Sequence, residues 1–96
     1  MDTVKQDIVR FVDGHAPALL EVSHAIHANP ELAFKEYAAS ATLTRALQNH
    51  DVRVKSNVYG LETAFEAEVK GDGGPSIDIL AEYDALPSIG HACGHN

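Results

Sequence analysis

The chain has 96 residues, 45% of them apolar, with 14 acidic against 7 basic side chains and a formal charge of -7. That length suits one small domain or a piece of a larger one, since chains of roughly 60 to 150 residues bury about 60 to 70% of their unfolded surface. The acidic balance, with Lys5, Arg10, Lys35, Arg45, Arg53, Lys55 and Lys70 scattered, argues against nucleic acid as a partner.

At the N-terminus, Asp2 or Thr3 can cap a first helix whose apolar positions Val4, Ile8, Phe11 and Val12 follow the helical period. Neither a signal peptide nor an apolar run of the ~20 residues needed to cross a bilayer is evident, so no membrane association is expected. Asp13-Gly14 and Pro17 interrupt the pattern, because proline lacks the amide proton that a helix interior uses. A kinked helix or a helix pair fits. The stripe resumes at Leu19, Val22 and Ile26 and stops at Asn29-Pro30, where proline disfavours helical geometry in the residue before it. After a connector from Glu31 to Phe34, a second helix is predicted over about Lys35 to Gln48, packing through Ala39, Leu43, Ala46 and Leu47.

Three strands should follow. The first spans Val52 to Lys55. The second alternates, with Thr63, Phe65, Ala67 and Val69 on one face and Glu62, Glu66, Glu68 and Lys70 mostly on the other. Gly71-Asp72-Gly73-Gly74-Pro75 marks a turn into the third, Ser76 to Glu82, whose continuous apolar character predicts an inner strand covered on both faces. The fold class is therefore α/β: two helical segments followed by three strands.

The chemistry-bearing residues gather at the carboxyl end of that third strand, where open α/β sheets usually place a site. Gly90-His91-Ala92-Cys93-Gly94-His95-Asn96 sets the one cysteine between two histidines. Residues two apart in an extended segment project to the same side, so Cys93 and His95 can converge on one cation. A thiolate with an imidazole suits zinc or a neighbouring transition metal. His91 is either a further ligand or a group that supports one. Glu82 and Asp84 precede the loop, and carboxylates there could orient a metal-bound histidine or bind the metal themselves. Two or three ligands are too few for a complete site. A cysteine-nucleophile reading of Cys93 would need a base, an orienting group and an oxyanion pocket from elsewhere. A second metal site at His24 and His27 is disfavoured for want of further donors, and His15 and His50 have no stronger claim. One cysteine cannot form an internal disulfide, which points to a reducing, cytoplasmic location.

The stretch from Leu80 to Asn96 resembles the corresponding part of the amidohydrolase branch of the aminoacylase/carboxypeptidase metallopeptidase family, which includes aminobenzoyl-glutamate hydrolases and Xaa-Arg dipeptidases. The earlier His27-Ala28-Asn29-Pro30-Glu31-Leu32 resembles that branch's N-terminal signature. The resemblance implies a zinc-peptidase-like, mixed-sheet catalytic domain, with residues 1–96 as its N-terminal fragment and the dimerisation domain absent. It implies Cys93 and His95 as metal ligands, Asp84 as an orienting group, and Glu82 standing where many relatives have a ligating histidine. It also implies two zinc or manganese ions per intact site and hydrolysis of N-acyl amino acids or dipeptides. The general base and remaining ligands of the family fall outside these residues, so the chain alone is expected to be inactive. A noncatalytic metal- or protein-binding module is the alternative. Exposed strand edges should also favour self-association.

Overall fold

The first helix begins where a short acceptor is available: the Asp2 carboxylate receives the backbone N–H of Lys5 at 3.0 Å, closing one of the amides that a helix start leaves open. A computed structural model describes residues 2–96, and in it this helix, α1, runs unbroken over Thr3–Ala28, with Pro17 inside it. The expected interruption at Asp13 to Pro17 is thus absorbed as continuous helix. The surface position of this stretch explains the tolerance, since water can satisfy the carbonyl that proline leaves without a donor. The helix ends as expected before Pro30, with the Asn29 N–H returning to the Ile26 carbonyl at 3.2 Å.

The second helix, α2, spans Tyr37–Gln48, and its N-cap Glu36 makes no side-chain cap bond. Glu31, further upstream, supplies that function. Its carboxylate accepts the N–H groups of Ala38 at 2.9 Å and Ala39 at 2.7 Å, placing a negative charge where the helix dipole favours one. The backbone leaves α2 through a left-handed Asp51 and enters strand β1, Val54–Ser56. Strand β2, Phe65–Ala67, pairs antiparallel with β1 in the register Val54 to Ala67, Lys55 to Glu66 and Ser56 to Phe65. Lys55 opposite Glu66 sets unlike charges across the ladder, the favourable combination for a directly facing pair.

The core is small. Ile26 of α1, Ala39 of α2 and Tyr83 are buried together, with Val22, Leu43 and Phe65 packed around them. Tyr83 stacks on Phe65 with ring centres 5.8 Å apart and planes at 16°, and its hydroxyl donates to the Thr63 carbonyl. The Thr63 hydroxyl in turn donates to the Glu36 carboxylate at 3.0 Å. These bonds satisfy the polar atoms that burial would otherwise leave costly.

The mixed α/β class stands, but two expectations about its parts do not. The third strand over Ser76 to Glu82 does not form among the described residues. Ile77, Ile79 and Leu80 are instead 83%, 91% and 90% exposed. An inner strand gets its hydrogen bonds and both its covered faces from neighbours, and among the described residues β1 and β2 pair with each other alone. Likewise Val4, Ile8, Phe11, Val12 and Leu19 remain exposed, because only the last turns of α1 meet the core. No helix among the described residues is long and apolar enough to cross a membrane.

Candidate metal centre

The strand-like alternation from Glu82 to Leu86 decides which side chains face the site. Tyr83 and Ala85 are buried, so Glu82 and Asp84 project to the opposite side, as a period of two requires. This stretch is held at its centre by the earlier signature segment. The Ala85 N–H donates to the Glu31 carbonyl at 2.7 Å, and Leu32 and Ala85 form a parallel bridge. Glu31 therefore acts twice, fixing the start of α2 through its carboxylate and the approach to the site through its backbone.

Past Ala85 the chain folds back on itself. The Leu86 N–H donates to the Gly90 carbonyl at 2.9 Å and the Gly94 N–H to the His91 carbonyl at 3.1 Å. Gly90 and Gly94 sit at φ 63° and 76°, a left-handed conformation that costs glycine nothing and other residues strain. At the end of the loop the Asn96 amide donates to the Ser23 hydroxyl at 3.0 Å and to the Ser23 carbonyl at 3.3 Å. The loop is thereby tied to α1.

These turns bring His95 back onto the two carboxylates. Its Nδ1–H donates to Asp84 Oδ1 at 2.8 Å, while its Nε2 lies 3.9 Å from Glu82 Oε2. A carboxylate can only accept here, so the proton belongs on Nδ1 and Nε2 is left as the lone-pair nitrogen of the neutral ring. That is how metal-binding histidines are commonly oriented. Cys93 is an exposed free thiol. Both ring nitrogens of His91 are buried without a hydrogen-bond partner among the described residues, and its ring faces that of His27 at 6.3 Å and 30°.

Of the residues predicted from sequence, the structure joins Asp84 to His95 and brings Glu82 to the edge of the same group. Cys93 and His91 sit in the same loop, but among the described residues no three His, Cys, Asp or Glu side chains converge into a ready-made cation site. The donors fit a transition metal in kind, through an oriented imidazole, a thiol and a partnerless second imidazole. In number they are short of a closed coordination shell.

The Asp84 hydrogen bond raises the His95 pKa above 6.5, and the His95 partner holds the Asp84 carboxyl below the usual carboxylate range. The stabilisation from His95 is complete below the ordinary histidine pKa and fades as pH rises through the raised folded value. That from Asp84 is complete above the ordinary carboxylate pKa and fades as pH falls through the lowered folded value. In the metal-free chain, an NMR titration of the His95 ring should therefore give a midpoint above 6.5 that falls on Asp84→Asn substitution. A midpoint indifferent to that substitution would show the pair is not formed in solution.

Three further residues, Glu31, Ser23 and Asn96, shape the site in roles that the sequence motifs did not assign to them. Glu31 could have been found from the absence of any acidic residue in the first turn of α2, which leaves its amides seeking an acceptor. Ser23 and Asn96 meet across most of the chain, and nothing local announces such a contact.

No family model matches the chain. Individual relatives do. The whole chain is 38% identical over 105 residues to the Xaa-Arg dipeptidase of Mus musculus, covering 24% of that protein. It is 29% identical over 111 residues to thermostable carboxypeptidase 2 of Saccharolobus solfataricus, covering 27%. A match across 95% of the chain to a p-aminobenzoyl-glutamate hydrolase of Escherichia coli is 32% identical and covers 23% of that polypeptide. The chain spans about a quarter of the length of these curated relatives.

Proposed function

The chain belongs to this family of dipeptidases, carboxypeptidases and amidohydrolases, and from that premise we propose that residues 1–96 are the N-terminal part of the catalytic domain of a metal-dependent amidohydrolase. The observation that carries this reading is the Asp84–His95 pair at 2.8 Å, formed inside the Cys/His loop. His95, through Nε2, and Cys93, as thiolate, would hold a divalent transition metal such as zinc or manganese. Glu82, 3.9 Å from His95, and His91, in the same loop, would act as supporting groups or further ligands. When bound, such an ion supplies Lewis acidity and lowers the pKa of water.

The work of this chain's own residues is positional. Asp84 fixes the tautomer and plane of His95, and Ser23 with Asn96 holds the loop against α1. Glu31 couples that loop's approach to the start of α2. The intact centre would use two metal ions and act on N-acyl amino acids or dipeptides, in the cytoplasm, with its general base and further ligands drawn from outside residues 1–96. By itself the chain would bind metal weakly, hydrolyse nothing and associate with copies of itself.

The test pairs two measurements on the 96-residue chain. Zinc and manganese are titrated calorimetrically into the chain and into its Cys93→Ala/His95→Ala variant, so that binding at the terminal loop is the difference between the two, and turnover of Xaa-Arg dipeptides and N-acyl amino acids is assayed with and without a chelator. Metal binding without turnover is the expected result. Chelator-sensitive turnover would overturn the claim that the chain is inactive alone, and failure to bind either metal at millimolar concentration, or equal binding by the chain and the double variant, would overturn the metal-site reading.

A further inference from the structure

A second pair of imidazoles meets away from the terminal loop. His15 projects from the middle of α1, about 12 Å along the helix axis from Ser23 at a rise of 1.5 Å per residue. Its Nδ1–H donates to the Phe11 carbonyl at 2.7 Å. That bond fixes the tautomer and leaves Nε2 with its lone pair, the arrangement in which a backbone carbonyl typically orients a metal-binding histidine. Phe11 also stacks on the His15 ring, with centres 4.1 Å apart and planes at 25°, which limits rotation of the imidazole.

His50 approaches from the other side, in the turn that ends α2. Its backbone is pinned there by its own N–H to the Leu47 carbonyl at 3.0 Å and by the Asp51 N–H to the Gln48 carbonyl at 3.0 Å. The His15 and His50 rings lie 5.3 Å apart, centre to centre, with planes at 52°. Two imidazoles bound to one tetrahedral ion at about 2.0 to 2.1 Å per nitrogen would have centres about 5 Å apart. The observed centre-to-centre spacing of 5.3 Å is close to that value. Among the described residues the His50 ring makes no hydrogen bond that would compete.

We propose that His15 and His50 form an accessory site for a divalent transition metal, clamping the middle of α1 to the end of α2. The two nitrogen donors select the copper, nickel and zinc group over magnesium or calcium, which prefer oxygen ligands. His15 is half-buried and His50 exposed, so water completes the coordination from the open side. The site is independent of Cys93 and His95, and its occupation adds a tie between elements whose shared core is small.

Zinc and nickel are the probes, followed by the imidazole resonances of the full chain and of the Cys93→Ala/His95→Ala double variant. The His15 and His50 signals should shift together with one midpoint in both proteins, with His15 responding at Nε2. The apparent melting temperature should rise as the metal is added. His50→Ala should abolish the shift at His15 and weaken binding at this site at least tenfold, and His15→Ala should do the same for His50. Circular dichroism checks that helix content is kept. Because His50 lies in an exposed turn, its variant decides the matter if His15→Ala disturbs α1. Separate midpoints, a His15 response unchanged by His50→Ala, or no response at millimolar zinc and nickel would each overturn the proposal.

Discussion

Replacing His95 by alanine should weaken zinc binding at the terminal loop by more than about a hundredfold, and Cys93→Ala should do the same. The scale follows from the orienting partner: loss of a carboxylate that only positions a ligand typically costs about 10- to 100-fold in affinity, and loss of the ligand itself costs more. Asp84→Asn is accordingly expected in the lower range, because the amide keeps an oxygen to accept from His95 Nδ1–H but loses the charge that makes the imidazole a better donor to metal. Each tenfold step corresponds to about 1.4 kcal/mol. Competition with a chromophoric chelator measures the series. Cobalt substitution adds a specific signature, since a thiolate-to-cobalt absorption band should vanish in Cys93→Ala and persist in Asp84→Asn. If His91→Ala matches His95→Ala in size, the His91 ring, with its buried and partnerless nitrogens, is a ligand. A loss below tenfold leaves it a supporting group. Equal affinities across Cys93→Ala, His95→Ala and the unmodified chain would end the assignment of this loop.

How this site is read from sequence depends on whether its determinants are local. The Asp2 cap, the Asn29-Pro30 stop and the apolar positions Val22, Ile26, Ala39 and Leu43 are local patterns, and they place both helices within a few residues. The two-residue period from Glu82 to Leu86 is also local, and by itself it puts Glu82 and Asp84 on one side. The return of His95 onto Asp84 needs Gly90 and Gly94 in left-handed turns, which glycine permits but does not dictate. Most opaque are the contacts made across long separations, between Glu31 and Ala85 and between Ser23 and Asn96. The third strand shows the same limit from the other direction. Ile77, Ile79 and Leu80 have the composition of a buried strand, but a strand exists only when another supplies its hydrogen bonds, and among the described residues β1 and β2 pair with each other alone.

That unpaired segment leads to the second large effect: a chain that associates through Ser76 to Glu82 and becomes monomeric on Ile79→Lys substitution. The accessible surface is 7719 Å², whereas a folded monomer of this mass has about 5,400 Å². The radius of gyration of 15.1 Å likewise exceeds the roughly 12.5 Å of a well-packed chain of this length. Apolar side chains left in water at this density favour burial against a second copy. The segment's own charge pattern selects the register. In an antiparallel pair centred on Ile79, Ile79 faces its counterpart, Ile77 faces Ala81 and Asp78 faces Leu80, whereas a parallel in-register pair would set Asp78 against Asp78 and incur repulsion. Pro75 is compatible with this pairing, because it lies just before the strand, where no ladder hydrogen bond from its nitrogen is needed. Burying one large aliphatic side chain is worth about 1.5 to 3 kcal/mol. Two-fold symmetry applies the loss twice, so Ile79→Lys should weaken association by about two to four orders of magnitude at 1.4 kcal/mol per decade. Sedimentation equilibrium across a concentration series tests this. Val4→Lys, at an exposed position on α1 outside the strand, serves as the control and should leave the association constant nearly unchanged. A compact monomer at high concentration in the unmodified chain would refute the pairing. Equal weakening by Ile79→Lys and Val4→Lys would instead assign the association to undirected apolar contact, without the strand register derived from Asp78.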